Sequence, residues 1–528
     1  MGIRVISADV AIIGSGAGGS TLAYGLRDSG ARVVVVERGE HLPREPQNWD
    51  VDAVFRAKRY RTSETWDDLD AGSRGKWRLG RAEVGSIAPG VHYVVGGNSK
   101  MWGAALPRFA PSDFEEVVHA EGVSPAWPFG YDDLEPYYEQ AEALFGVHGG
   151  TDWGVPPRLR PLRPAVGHEP AIALLVTDLE RQGLHPYDLP VGIDFHPGGR
   201  CIRCATCDGF PCMVDAKNDA EIAALRPALA TGNVELITGV RIDRLETASD
   251  GSRVTRAHGV SDRGEVAVDA ARYVVAGGAV NSAALLLRSA SAASPDGLAN
   301  RSGLVGRNYM HHLTSAIMAV DPRRRNPTRF QKSFGINDWY AGAPDYPYPM
   351  GNVQGVNKLQ PGMLAAAGRR APDWLLRYLT NHSVDLWAQS EDLPSTDNRV
   401  EVTGDRIGIR YRAINRSAHD ALLSRTRAAL RRAGFPLVVI ERMGIATNSH
   451  QCGTCRAGVD PKTSVLNPDC RAHDVENLWV VDSSFMPSSA ALNPGLTIVA
   501  NAMRVADREF CGLRGGSARD SSEQKGAP

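Results

Sequence analysis

Apolar residues along the chain fall into short runs, each closed by a glycine or a charged residue. Val10–Ile13 ends at Gly14, and Val33–Val36 ends at Glu37. The small and apolar residues that follow Gly16 read as a helix, so residues 8–37 predict strand, turn, helix, strand. Ala228–Glu246 predicts a helix end and two strands, and Tyr273–Ser289 a strand, a glycine turn and a helix. Near the end, N-L-W-V-V-D predicts a further strand, followed by a helix to about Glu509. Capped helix starts are expected at Pro111–Phe114 and Tyr131–Glu142, alternating strands near 399 and 406, and one helix over Ala418–Gly434. Residues 40–90 are polar and rich in Arg and Asp, and predict a surface excursion. Residues 150–200 are Pro-rich and predict loop. Together these elements predict an α/β protein. A Rossmann-like dinucleotide domain is assembled from the start, middle and end of the chain, and a second, sheet-rich α+β domain is inserted into it.

The first turn carries candidate chemistry. Gly14, Ser15, Gly16, Ala17 and Gly19 form a G-x-G-x-x-G loop between strand and helix. Gly14 allows the sharp turn, Gly16 lets backbone approach a pyrophosphate, and Gly19 lets helix and sheet pack closely. Phosphates then meet a helix N-terminus, whose free N–H groups and dipole favour negative charge. Glu37, at the end of the next strand, has the place and chemistry to accept hydrogen bonds from an adenosine ribose.

With 528 residues, 59 Lys plus Arg and 60 Asp plus Glu, the chain is near neutral, with no basic excess for nucleic acid or anionic lipid. Its apolar runs are too short to span a membrane, and the sequence enters a strand at once, so a cytoplasmic protein is expected. Cys201, Cys204, Cys207 and Cys212 have the spacing C-x2-C-x2-C-x4-C, one residue longer than a ferredoxin run. Such a segment admits either an iron–sulfur or zinc site or a plain cysteine-rich loop.

Six motifs in order resemble the glucose–methanol–choline (GMC) oxidoreductase family. They are G-S-G-A-G-G with Glu37, G-G-N-S-K-M-W-G, V-A-G-G-A-V-N-S-A-A-L-L, E-D-L-P-S-T-D-N-R-V, H-Q-C-G-T-C-R-A-G, and V-V-D-S-S-F-M-P-S-S-A-A-L-N-P-G-L-T-I. The resemblance spans residues 8–509 and feels closest to the pyranose-oxidase-like and bacterial glycoside 3-oxidase branch. It implies FAD-binding segments at 1–110, 200–310 and 441–511, substrate-binding segments at 111–199 and 311–440, and a disordered tail at 512–528. It implies that the adenosine half of FAD lies on the first turn and Glu37, and that Gly97, Asn98 and Ser99 follow the pyrophosphate and flavin. Val240 would face the adenine through its backbone, and Asp482 the ribityl–phosphate region. Asn493, Pro494 and Thr497 would pass beside the flavin. Met101 stands where some relatives bond a histidine to the flavin, and a thioether cannot form that link, so non-covalent FAD is expected.

The same resemblance makes His450 the catalytic base and Asn493 its partner. Oxidising an alcohol needs removal of a hydroxyl proton and transfer of the carbinol hydride. A neutral imidazole can take the proton, and a carboxamide NH2 can hydrogen-bond the alkoxide. The expected reaction is oxidation of a secondary alcohol of a sugar or glycoside to a ketone, with dioxygen or another acceptor. One alternative is a gluconate/fructose-dehydrogenase-like subunit that passes electrons to a cytochrome or quinone. Another is a flavin electron carrier without alcohol chemistry. His311 and His312 point to different faces as neighbours and are expected in structural or domain-interface roles. Packing is likewise expected of Cys452 and Cys455. Trp339, Tyr340, Tyr346, Tyr348 and Gln354 lie in an aromatic, Pro-rich stretch that admits either loop packing or an aromatic platform with one amide for a sugar ring.

Overall fold

The computed structural model describes residues 3–70, 77–78, 81–82, 85–150, 154–369, 371–447 and 449–513. The tail beyond 513 lies outside them.

The largest sheet runs Val234–Ile237, Val33–Val36, Arg4–Ile13, Gly264–Val275, Val254–Ser261, Arg241–Thr247, with Leu478–Val480 joining Gly264–Val275. The first four strands and Leu478–Val480 pair in parallel, in a register that aligns Ile13 with both Val36 and Val275. The apolar runs seen in the sequence are buried on both faces, as a covered parallel sheet requires. Helix Ala17–Gly25 follows the first strand and packs on helix Gly495–Glu509, where a Cβ on Gly25 would meet Ala506 Cβ at 2.6 Å. The sheet thus collects the start, the middle and the end of the chain.

A second sheet of six antiparallel strands is built from Leu437–Met443, Leu313–Val320, Ser383–Ser390, Asn352–Gly355, Phe334–Ile336 and Tyr187–Asp188. Helices Pro170–Glu180 and Arg416–Arg432 cover it, and Ile172, Leu175, Leu179, Leu422 and Leu430 share its core.

Three expectations need correction. Residues 40–90 are not only an excursion. Trp66–Asp68 and Gly85–Ile87 complete a four-stranded sheet with Arg399–Thr403 and Arg406–Arg410, and Trp66 is fully buried. Within 150–200 the helix Pro170–Glu180 was masked by its prolines, because Pro170 occupies the first helical position, where a missing N–H costs nothing. Pro111–Phe114 is a single 3₁₀ turn, since its Phe114 leads straight into an extended segment.

The smallest sheet matters most for chemistry. Met310–His311 pairs antiparallel with Gln451–Cys452, with Met310 opposite Cys452 and His311 opposite Gln451. Continued by one residue, this register sets His312 opposite His450.

Candidate active site

The two glycine turns touch. Gly96 N donates to Ser15 Oγ at 3.1 Å, and a Cβ on Gly97 would lie 3.3 Å from Gly16 Cα. Gly96 and Gly97 adopt φ of 88° and 55°, so this approach needs glycine on both counts. Around Gly16 itself a Cβ would meet nothing within 4 Å, which leaves open space over the N-terminus of helix Ala17–Gly25. Elsewhere the turn is tight, for a Cβ on Gly14 would lie 2.4 Å from Ala276 O, and one on Gly19 2.0 Å from Gly14 O.

Glu37 and Asp482 bound this space, both buried. Glu37 accepts from Ser15 N at 3.0 Å, Ser15 Oγ at 2.7 Å and Gly39 N at 2.9 Å. Burial raises its pKa, and those three donors oppose the shift. Val240 N donates to Glu37 O at 3.1 Å, so the chain segment assigned to the adenine lies directly beside the carboxylate. Asp482 accepts from Gly278 N at 2.8 Å and Ser282 Oγ at 2.5 Å, and its other oxygen from Ser484. Burial pushes Asp482 upward too.

Several side chains of the second turn are occupied with bracing it. Asn98 Oδ1 accepts from His92 N at 2.8 Å, and Ser99 Oγ accepts from Ala220 N at 2.9 Å. Lys100 pairs with Asp219 at 3.1 Å and Glu221 at 2.6 Å. What Gly97, Asn98 and Ser99 offer a cofactor is therefore backbone. Met101 closes the turn and is buried. Pro494 caps helix Gly495–Glu509, and Thr497 Oγ1 lies 2.8 Å from Tyr138 Oη, which commits its hydroxyl to the protein. Trp102 packs over Gly495, whose Cβ would lie 2.9 Å from the indole, so the second glycine turn meets the Asn493 loop. An elongated, two-phosphate group fits this arrangement: backbone N–H groups at the centre and a buried carboxylate toward each end.

A chain of polar groups joins the two predicted reaction residues. His450 Nδ1 lies 2.9 Å from His312 Nδ1, with the rings nearly perpendicular at 81°. His312 Nδ1 lies 3.0 Å from Gln389 Oε1, and Gln389 Nε2 3.5 Å from Asn493 Oδ1. Gln354 Nε2 donates to the same Asn493 Oδ1 at 3.0 Å. Sequence reasoning missed His312, Gln389 and the role of Gln354, because strand pairing over more than 130 residues brings them together. The two neighbouring histidines do different things: His311 packs on Tyr411 at 4.3 Å, while His312 reaches His450.

Burial lowers the pKa of both His450 and His312, for His450 reinforced by the charges of His312, Lys332 and His311. Both rings are thus neutral. His312 Nε2 lies 3.0 Å from Ser489 O, a carbonyl that can only accept. Gln389 Oε1, also an acceptor, faces His312 Nδ1 at 3.0 Å, so both His312 nitrogens look onto acceptors and the single proton of the neutral ring serves one of them. The Nδ1–Nδ1 contact needs one proton between the two rings.

The remaining candidates divide. All eight cysteines are free thiols. Among the described residues no group of three His, Cys, Asp or Glu side chains is placed to hold a metal ion, although the Cys204 and Cys207 thiols lie within hydrogen-bonding reach of each other. Cys452 and Cys455 are buried, and burial pushes both thiols up, away from thiolate chemistry. Trp339 and Tyr346 pack on the second core, while Tyr340 donates to Asp113 at 2.9 Å.

Comparison with known proteins agrees with this geometry. Two GMC oxidoreductase profiles match residues 87–314 and 405–502, and a profile of an NAD(P)-binding Rossmann-like domain matches residues 12–47. The 6'''-hydroxyparomomycin C oxidase of Streptomyces lividus is 34% identical over 94% of this chain and 90% of its own. Paromamine 6'-oxidase of Streptomyces fradiae is 32% identical over the same shares. Pyridoxine 4-oxidase from Mesorbium loti shares the fold, with a TM-score of 0.65 at 21% identity over 95% of this chain and 99% of that one. Joined glycine turns, open space at a helix N-terminus and full-length relatives lead to one conclusion: the chain belongs to the GMC oxidoreductase family and is an FAD-dependent enzyme acting on CH–OH groups.

Proposed function

We propose that the enzyme oxidises a secondary carbinol of a sugar or glycoside to the ketone, with His450 as base and Asn493 as alkoxide partner. FAD supplies the hydride acceptor. The observation that carries this reading is the antiparallel register that sets His312 against His450. At 2.9 Å that contact holds the two buried imidazoles nitrogen to nitrogen, which supports His450 as a positioned base. Both recorded contacts of Asn493 use Oδ1, which leaves its NH2 to donate to the oxygen as negative charge develops. The two Streptomyces relatives, whose names give aminoglycoside substrates, support a sugar-like substrate. Their 6-position locants favour a second reading, oxidation of an exocyclic primary carbinol to the aldehyde.

The test is anaerobic mixing with monosaccharides, plant glycosides and aminoglycosides, followed by 13C NMR of the product. Bleaching of the flavin by one of them is expected, with a ketone resonance. An aldehyde resonance selects the second reading, and no bleaching by any carbinol removes both. Electrons then pass to dioxygen or another acceptor. Transfer through the cysteine segment to a cytochrome or quinone has less support, since the two Streptomyces relatives are named as oxidases.

The pH dependence follows from the buried base. Protonation abolishes a base, and burial holds His450 well below the ordinary 6.5. The rate constant for flavin reduction is therefore expected to stay level as pH falls through 6.5 and to decline only at lower pH. A limb at or above 6.5 in stopped-flow measurements contradicts a buried base.

We also propose that FAD is held non-covalently, because Met101 offers a thioether at the linkage position. Acid precipitation is expected to release all yellow colour into the supernatant, and colour left on the pellet contradicts it. The division into FAD-binding segments 1–110, 200–310 and 441–511 and substrate-binding segments 111–199 and 311–440 is proposed on the two sheets. A cytoplasmic location is part of this proposal; no helix among the described residues is long and apolar enough to cross a membrane.

A further inference from the structure

One buried ion pair faces this region from a part of the chain the reaction has not used. Lys332 Nζ lies 2.6 Å from Asp208 Oδ1, and the lysine side chain is 5% exposed. An ammonium has three donors. Among the described residues Asp208 is its one hydrogen-bond partner. A buried charge with unmatched donors is costly unless something completes its hydrogen bonds.

Three observations fix where the pair stands. A Cβ on Gly103 would fall 1.6 Å from Asp208 Oδ1 and 2.2 Å from Lys332 Nζ, so the pair fills the place of a side chain on the loop leaving the second glycine turn. Lys332 immediately precedes strand Phe334–Ile336, whose neighbour Asn352–Gly355 carries Gln354, the partner of Asn493. The Lys332 charge also acts on His450. Asp208 is itself held by Asn357 N at 2.8 Å. The ammonium therefore stands by the glycine-turn loop, the Asn493 cluster and the base together.

The charge state indicates the ligand. A lone lysine in a cavity selects carboxylates or phosphates, but this one is neutralised by Asp208. A neutral pair with spare donors suits an uncharged hydroxyl. His450 and Asn493 already occupy the oxygen of the reacting carbinol, so the hydroxyl left for Lys332 is a neighbouring one. Resting on the reading of His450 as base, we propose that Lys332 is a substrate-contacting specificity residue. Its ammonium donates a hydrogen bond to the hydroxyl next to the oxidised carbinol, and Asp208 is the positioning residue that aims it. The enzyme then selects vicinal diols.

The experiment compares a sugar that bleaches the flavin with its deoxy analogue lacking the adjacent hydroxyl. In the wild-type holoenzyme the sugar is expected to be favoured by about 10- to 100-fold in reduction rate constant over Kd, as for a hydrogen bond to a charged group. Lys332→Met is expected to abolish that preference, so that both compounds react alike. Calorimetric titration of the anaerobically reduced holoenzyme, which cannot turn over, should show the same loss in Kd. Gly103→Ala drives a methyl into the ion pair, and Asp208→Asn frees the ammonium; both should weaken the preference. Retention of wild-type discrimination by FAD-loaded Lys332→Met overturns the proposal. Where that variant does not fold, unchanged discrimination in Gly103→Ala and Asp208→Asn overturns it. A wild-type flavin that no carbinol reduces removes the functional reading instead, and calorimetry with the two sugars still tests Lys332.

Discussion

Replacing His450 by alanine is expected to slow anaerobic flavin reduction by about 10²- to 10⁴-fold, the usual contribution of a positioned base. The flavin spectrum and FAD content should stay intact, because the glycine turns, Glu37 and Asp482 are braced by other residues. His312→Ala should follow with a smaller loss. It leaves the base in place but removes the ring that holds His450 through its Nδ1. The decisive measurement is single-turnover reduction with the best carbinol. A His450→Ala enzyme that reduces at the wild-type rate eliminates proton abstraction by this side chain.

The second large effect is expected at Gly18, which the glycine motif leaves as a variable position. A Cβ there would lie 2.2 Å from Val481 O and 3.3 Å from Asp482 N, both backbone atoms that cannot rotate aside. Gly18→Ala must push the helix off the sheet or displace Asp482 from Gly278 and Ser282. Overpacking of this kind costs about 1–3 kcal/mol or more. A purified variant should have a lower thermal midpoint and a flavin-to-protein absorbance ratio well under that of the wild type. Full FAD occupancy at an unchanged midpoint contradicts the close packing of helix and strand. Gly16→Ala is the control for the thermal midpoint of the apoprotein alone, since its Cβ meets nothing within 4 Å of protein but enters the space left for the dinucleotide.

What was legible in the sequence is what local rules encode. Val10–Ile13, Gly14–Gly19 and Val33–Glu37 announce a strand, a turn and a buried carboxylate, because burial on both faces demands unbroken apolar runs and the turn demands glycine. Such rules do not reach pairings between distant segments. Gln389 and Gln354 look like ordinary strand residues until the second sheet aligns them beneath Asn493. His312 becomes visible only through the pairing of Met310–His311 with Gln451–Cys452. Trp66 was hidden for the same reason: its strand is short, flanked by polar residues, and its parallel neighbour Arg406–Arg410 comes from far along the chain. Pro170 misled in the other direction, since a proline reads as a breaker unless the helix is known to begin there.

Met310–His311 and Gln451–Cys452 form a seam only two residues long between the portion of the chain that carries the six-stranded sheet and the portion that returns to the parallel one. Both proton-handling rings hang from its open end, one from each side. Any hinge-like parting of the two portions would unzip that seam first and separate the imidazoles before the rest of either core felt it. Proton abstraction is thereby tied to closure, and an enzyme held ajar would keep its fold while losing its base.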